Sequence, residues 1–192
     1  MKLDILAIGA HPDDVELGCS GTLAKEIHQG KSVGILDLTR GELGTRGSAE
    51  IRDKESTAAA KILNIKVREN LSFSDGFFIN DKNHQIEIIK IIRKYRPEVV
   101  FCNAVDDRHI DHPKASQLVS ASCFLSGLTK INTKLDGSNT FQEEWRPKFI
   151  YHYLQWKNIS PDICVDISDF MTIKLNILPL LLILVSSLAL TS

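Results

Sequence analysis

Leu3-Asp4-Ile5-Leu6-Ala7-Ile8-Gly9-Ala10-His11-Pro12-Asp13-Asp14-Val15-Glu16 is the stretch that decides the fold. Its first half, LDILAIG, is an almost unbroken apolar run, as expected of a parallel strand buried on both faces. Its second half turns abruptly polar, as a loop leaving a strand end does. The same alternation recurs downstream. Residues 18–29 have helical periodicity and stop at Gly30, and residues 32–39 (SVGILDLT) read as a second strand. Residues 49–63 form a helical pattern with Ile51, Ala58, Ala59, Ile62 and Leu63 facing inward. Residues 70–73 are a weak third strand followed by the turn signal Asp75-Gly76. Residues 84–95 are an amphipathic helix, and residues 98–103 (EVVFCN) another buried strand. Strands alternating with helices predict an α/β fold with a mainly parallel sheet flanked by helices.

Farther on, residues 126–147 are polar and aperiodic and read as a long loop. Residues 149–154 and 163–167 return to strand character. A helix capped by Ser168 or Asp169 is expected next. Composition then breaks near Leu175, and residues 175–192 carry no charge at all. That run contains Pro179, lacks basic flanks and falls short of the ~20 apolar residues of a membrane span. We therefore expect one domain over residues 1–174 and an atypical apolar tail over 175–192, of the kind a frameshift or truncation produces, with a buried helix and a weak terminal anchor as the alternatives.

The chain has 192 residues, 43% hydrophobic and 24% charged, and a formal net charge of -1. A balance so near neutral, with aromatic content of 7% and no basic run, gives nucleic acid or an anionic membrane nothing to hold. Four separated cysteines without a CxxC pair, and no signal peptide, read as reduced thiols of a cytoplasmic protein. Cys102 and Cys164 lie in apolar runs and are expected in the core.

In open α/β sheets, ligands bind at the carboxyl ends of the strands. Two such ends are rich in chemistry: AHPDDVE at residues 10–16 and DDRHIDHP at residues 106–113. A catalytic zinc takes three protein ligands of the His and carboxylate kind and keeps one position open. His11, Asp14 and His112 can supply that set, two from one short loop and one from a distant loop. Pro113 fits the first turn of a helix, which would fix the loop before it. Either motif alone could be a capping turn; their joint placement at strand ends of one sheet favours a site. A nucleotide-binding reading is weak, because GAHPDD lacks GxGxxG and two carboxylates would repel a pyrophosphate.

AHPDD-x-E followed by H-x-D-H resembles the pattern of the LmbE-like, or PIG-L, zinc deacetylases, over roughly residues 3–174. TRGELGTRGSAEIRDKES (residues 39–56) and DDRHIDHPKAS (residues 106–116) are similar to the bacillithiol-biosynthesis subgroup. The resemblance implies a Rossmann-like fold and a small-molecule amino-sugar substrate, in the subgroup N-acetylglucosaminyl malate. It implies Zn2+ as cofactor, with Fe2+ as the alternative in the cell, held by His11, Asp14 and His112. It places the general base on Asp13, a histidine that stabilises the tetrahedral intermediate on His109, and a tuning carboxylate on Asp111. It also places a substrate-binding arginine on Arg52, whose bland alternative is a solvated residue on a charged helix face. On this reading Asp111 favours a charged His109, and Glu16 orients the HPDD loop. His28, His84 and His152 are left as surface or structural residues. The family's members assemble as homo-oligomers, whereas the altered C-terminus here argues against assembly. Deacetylation of another amino sugar or glycolipid, and zinc binding without catalysis, remain the competing readings.

Overall fold

The computed structural model describes residues 1–45, 48–135 and 137–178. In chain order its elements are β1 (Ile5–Gly9), α1 (Asp14–His28), β2 (Val33–Thr39), α2 (Ala49–Ile62), β3 (Val67–Phe73), α3 (Lys82–Tyr95), β4 (Val99–Asn103), α4 (Asp111–Leu125), β5 (Phe149–Tyr153), a 3₁₀ turn (Ser168–Phe170) and α5 (Met171–Ile177). The five strands form one sheet in the order β3-β2-β1-β4-β5, and every pairing is parallel. The fold is thus a Rossmann-like α/β sheet.

The central strand shows why the sequence adopts it. Leu6 and Ile8 pack into the core shared with α3 and α4 through Ile88, Ile92, Leu118 and Val119. Ile5 and Ala7, alternating with them, pack against Val15, Cys19 and Leu23 of α1. A strand covered on both faces must be apolar at every position, which is how ILAIG (Ile5–Gly9) reads. Burial of each large aliphatic side chain contributes about 1.5–3 kcal/mol, so this strand anchors the sheet. The chain runs outward from β1 through β2 to β3, then returns across to β4 on the other side of β1. The loops after β1 and β4 therefore diverge at the switch point, where an open α/β sheet has its crevice.

Several boundaries differ from the sequence expectation. α1 begins at Asp14 rather than near residue 18, because Asp14 and Glu16 suit the positive end of a helix while giving no apolar period. β3 begins at Val67; it is a partly exposed edge strand, so Arg68 and Glu69 break the apolar signal. α3 starts at Lys82, since Asp81 accepts the His84 backbone N–H at 3.0 Å and caps the helix. Residues 163–167 pair with no strand, and Cys164 is exposed rather than in the core, whereas Cys102 is buried. Neither the 3₁₀ turn nor α5 is capped by a side chain, so Ser168 and Asp169 do not cap; Asp166 accepts the Ser168 N–H at 2.9 Å just before them.

The long loop after α4 carries one isolated antiparallel bridge, Lys134 to Phe141. It is fixed at its root by Arg93, which donates to the carbonyls of Ser126 (3.0 Å), Leu128 (2.9 Å) and Ile131 (2.6 Å) and to Thr133 Oγ1 (3.0 Å). α5 runs through the composition break near Leu175. Lys174 donates to the Leu17 carbonyl at 2.9 Å, and Ile177 is fully buried with Ala24, Ala59 and Leu63. Residues 179–192 of the apolar tail lie outside the described residues. Among the described residues, no helix is long and apolar enough to cross a membrane.

Candidate active site

The end of β1 is clamped from both sides. Thr39 of β2 donates its backbone N–H and its hydroxyl to the Ala10 carbonyl, at 3.0 and 2.8 Å. Asn103 of β4 accepts the Ala10 N–H at 2.9 Å and donates to Asp14 Oδ2 at 3.0 Å. Asp14 Oδ2 also accepts the His11 N–H at 3.0 Å, and Asp14 Oδ1 accepts from Gln155, beyond β5, at 2.9 Å. Chain turns on both flanks thus hold one buried carboxylate. Pro113 lies in the first turn of α4, and this helix start brings His112 to it from across the switch point.

Asp14 lies close to a ring nitrogen of both His11 and His112. His112 Nε2 stands 3.1 Å from Asp14 Oδ1, and His11 Nδ1 stands 3.4 Å from Asp14 Oδ2. Ligands at about 2.0–2.1 Å from a tetrahedral zinc lie about 3.3 Å from each other. The opposite ring nitrogens have carboxylate partners: His112 Nδ1 lies 2.9 Å from Asp107, and His11 Nε2 lies 3.1 Å from Asp75 and 3.4 Å from Asp111. A carboxylate taking the proton on one nitrogen leaves the other nitrogen's lone pair for a metal. His11, His109 and His112 come within metal-holding distance of one another, as do His11, Asp75 and Asp111, whereas Asp14 belongs to neither group. We favour the set built on Asp14. Asp111 accepts from Lys114 Nζ (3.1 Å), a cation that would repel a metal.

Charge follows this geometry. Burial disfavours a charged His11, but bonds to Asp111, Asp14 and Asp75 outweigh it and push its pKa up to about 12. His112 is raised as well, since Asp14 and Asp107 overcome its burial. Burial opposes ionisation of Asp14, yet the two histidines hold its carboxyl well below the usual range. Asp13 stands beside Arg52. Burial, reinforced by the Asp14 charge and opposed by Arg52 and His11, lifts its pKa to about 6.

Arg52 is not on a solvated helix face. It is buried, with Nη1 3.8 Å from Asp13 Oδ2. The loop after β2 makes room for it: a Cβ at Gly41 would stand 2.7 Å from Nη1, and one at Gly44 would collide with Nη2. Those glycines in GELG therefore cradle a guanidinium. Glu16 pairs with Arg68 of β3, whose guanidinium also grips Asp37 of β2 at 2.7 and 2.9 Å. This buried triad ties the first turn of α1 to the sheet.

His109 sits beside the pair, its ring centroid 4.6 Å from His11 and 5.1 Å from His112. Its expected pairing with Asp111 is corrected by the structure. The Asp111 carboxylate faces His11, Gly76 and Lys114, while only the Asp111 backbone N–H reaches His109 Nδ1, at 3.3 Å. Burial and the neighbouring His11 and His112 lower the His109 pKa overall, while the Asp111 charge works in the expected direction and raises it. Of the remaining histidines, His84 caps α3 with Asp81, His28 lies against Phe170, and His152 contacts the Asn103 carbonyl and Ser116.

Asp75, Asp107, Asn103, Gln155, Asp37 and Arg68 escaped the sequence reading as site residues. Asp75 and Asn103 stand at strand ends of the same sheet edge, so position alone could have flagged them. Gln155 and Arg68 offered no such signal.

Comparison with known proteins gives this geometry a context. The family model described as PIG-L, GlcNAc-PI de-N-acetylase, matches residues 6–123, more than half of the chain. An uncharacterized deacetylase of Escherichia coli, YaiS, is 37% identical over 125 residues, 62% of this chain and 67% of the relative. The diacetylchitobiose deacetylase of Thermococcus kodakarensis is 30% identical over 184 residues, 90% of this chain and 66% of the relative. The chain thus spans about two thirds of the length of these curated relatives. The crystal structure of the conserved protein TT1542 from Thermus thermophilus superposes with a TM-score of 0.84 at 39% identity, covering 93% of this chain and 78% of that one. Both HPDD and the start of α4 fall inside the matched span, and the chain belongs to the PIG-L, or GlcNAc-PI de-N-acetylase, family.

Proposed function

We propose that the chain hydrolyses the acetamide of an N-acetylglucosamine derivative, releasing acetate and the free amine. One observation carries this reading: His11, Asp14 and His112 converge at the switch point while the neighbouring carboxylate, Asp13, stays out of the donor set with a pKa near 6. A divalent metal held by those three, zinc by the preference of imidazole and carboxylate donors with ferrous iron as the alternative, supplies a Lewis acid and acidifies a water when bound.

The chain's own groups do the rest. Asp13 as carboxylate takes a proton from the attacking water as the new C–O bond forms. It returns that proton to the nitrogen as the C–N bond breaks. A base with a pKa close to the working pH suits this double duty, and such positioned catalysis contributes about 10²- to 10⁴-fold. His109, at the exposed side of the cluster, donates from Nε2 to the oxygen that gains charge. Asp111 acts as a positioning residue for His11. Arg52, buried against Asp13, offers donors to an anionic or hydroxyl-bearing part of the substrate.

Within this class, the similarity of residues 39–56 and 106–116 to the bacillithiol-biosynthesis subgroup supports N-acetylglucosaminyl malate. The Thermococcus relative's name supports diacetylchitobiose. Acetate release from both, measured with metal-loaded protein, tests the proposal. Turnover of either substrate that stops in Asp13→Ala supports it, and folded, metal-loaded protein inert toward both contradicts it.

A further inference from the structure

The Asp14 side chain, 4% exposed, is reached by the loops after β1, β4 and β5. An ionised carboxylate has about four lone-pair positions, two on each oxygen. Backbone and carboxamide donors take three of them. Oδ2 accepts the His11 N–H and Asn103 Nδ2, both at 3.0 Å, and Oδ1 accepts Gln155 Nε2 at 2.9 Å. The lone pair left over belongs to Oδ1, the oxygen 3.1 Å from His112 Nε2.

The hydrogen bonds also decide which amide atom does what. The Ala10 N–H can only donate, so the Asn103 atom it meets at 2.9 Å is the carbonyl oxygen. That turns the Asn103 NH2 group toward the site, where its two hydrogens go to Asp14 and to Gln155 Oε1, both at 3.0 Å. With its oxygen committed to Asn103, Gln155 presents its own NH2 group to Asp14. A backbone N–H at the end of β1 thus orients, through two carboxamides, a donor that lies 141 residues along the chain from its acceptor. The root of Gln155 is held as well. Tyr153, buried two residues earlier, donates its hydroxyl to the Ile8 carbonyl at 3.0 Å, and Lys157, two residues later, pairs with Asp106.

We propose that Gln155 is a positioning residue for Asp14: it occupies one lone pair of Oδ1, so that the carboxylate meets the metal through the other and in one orientation. This rests on reading His11, Asp14 and His112 as the ligand set. Without that donor Oδ1 carries two free lone pairs, and the bond that opposes rotation of the carboxylate on that side is gone. Hydrogen-bond partners of metal ligands are worth about 10- to 100-fold in metal affinity.

The test uses the full chain with Zn2+ and with Co2+. Gln155→Met removes the donor and keeps the length of the side chain, while Gln155→Asn keeps an amide but draws it back by one methylene. Gln155 is only half-buried, so both variants should fold, which circular dichroism of the metal-free proteins checks. Each should bind zinc about 10- to 100-fold more weakly in a chelator competition. The visible absorption of the cobalt-loaded proteins should change in shape and intensity, because it reports the number and arrangement of donor atoms around the ion. A purely structural role would lower thermal stability and leave that spectrum as it is. Unchanged zinc affinity, an unchanged cobalt spectrum, or loss of the fold in both variants overturns the positioning role and leaves the ligand set and the deacetylase reading standing. His112→Ala separates the two claims: if it binds zinc as tightly as the unmutated protein, the ligand set falls and this inference with it.

Discussion

Replacing Arg68 by methionine removes the cation in contact with two carboxylates that water barely reaches. The side chains of Arg68, Asp37 and Glu16 are 10%, 3% and 0% exposed, and one guanidinium serves both acids and the Ser56 carbonyl. Removing one member of such a buried arrangement costs about 3–5 kcal/mol, because the charge left behind has no compensation. For a chain of this size that corresponds to a Tm lower by about 6–20 °C. The pH dependence has a definite sign. Burial, opposed by Arg68, already pushes Asp37 up to about 6, and burial raises Glu16 as well. Groups raised in the folded state contribute stability at low pH that is lost as pH climbs through the folded pKa. Without Arg68 both carboxyls rise further. The deficit of Arg68→Met should therefore be largest at pH 8 and shrink at pH 5. Thermal unfolding by circular dichroism at both values reads this directly. Arg68→Lys should recover part of the loss, restoring charge but not the fork. A deficit below about 1 kcal/mol, or one equal at both pH values, would refute the argument.

The other predictions concern the centre. His11 is held protonated near neutral pH by three carboxylates, so zinc must displace that proton on binding. Calorimetry in two buffers of different ionisation enthalpy should show release of at least one proton at pH 7, and identical heats would contradict it. Asp75→Asn takes away a carboxylate that orients His11 at 3.1 Å and should weaken zinc about 10- to 100-fold in a chelator competition. Unchanged affinity would mean that Asp111 suffices alone. Asp13 must be ionised to act as base, so kcat/KM should fall as pH drops through about 6. Because Arg52 lowers that pKa, Arg52→Met should move the acid limb to higher pH, and a limb that stays put or moves down would exclude their coupling.

The sheet was legible because β1 and β2 are buried along their length and β4 is buried at Val100, Cys102 and Asn103, which leaves all three mainly apolar. The HPDD and HIDH loops were legible because strand order forces both to one sheet edge. β3 was only half visible, since an edge strand can afford Arg68 and Glu69. α1 hid its first turn for a related reason: Asp14 and Glu16 are placed there by the helix dipole, the site and Arg68, none of which leaves a periodic trace. The partners that orient the histidines were harder still. Asp107 was visible in its motif, but Asp75 and Gln155 arrive from loops far along the chain, and spacing in sequence does not encode that meeting. The orientation of Asp111 toward His11 rather than His109 is a matter of side-chain direction at a helix start, which adjacency in sequence misreads.

The measurement that bears most directly on the central claim is acetate release from diacetylchitobiose and N-acetylglucosaminyl malate by zinc-loaded protein, run beside Asp13→Ala at equal zinc content. The account predicts release from at least one of them, lost on chelation and reduced about 10²-fold or more in Asp13→Ala while the zinc stays bound. Undiminished release by Asp13→Ala, or none from folded protein carrying one zinc per chain, would contradict it.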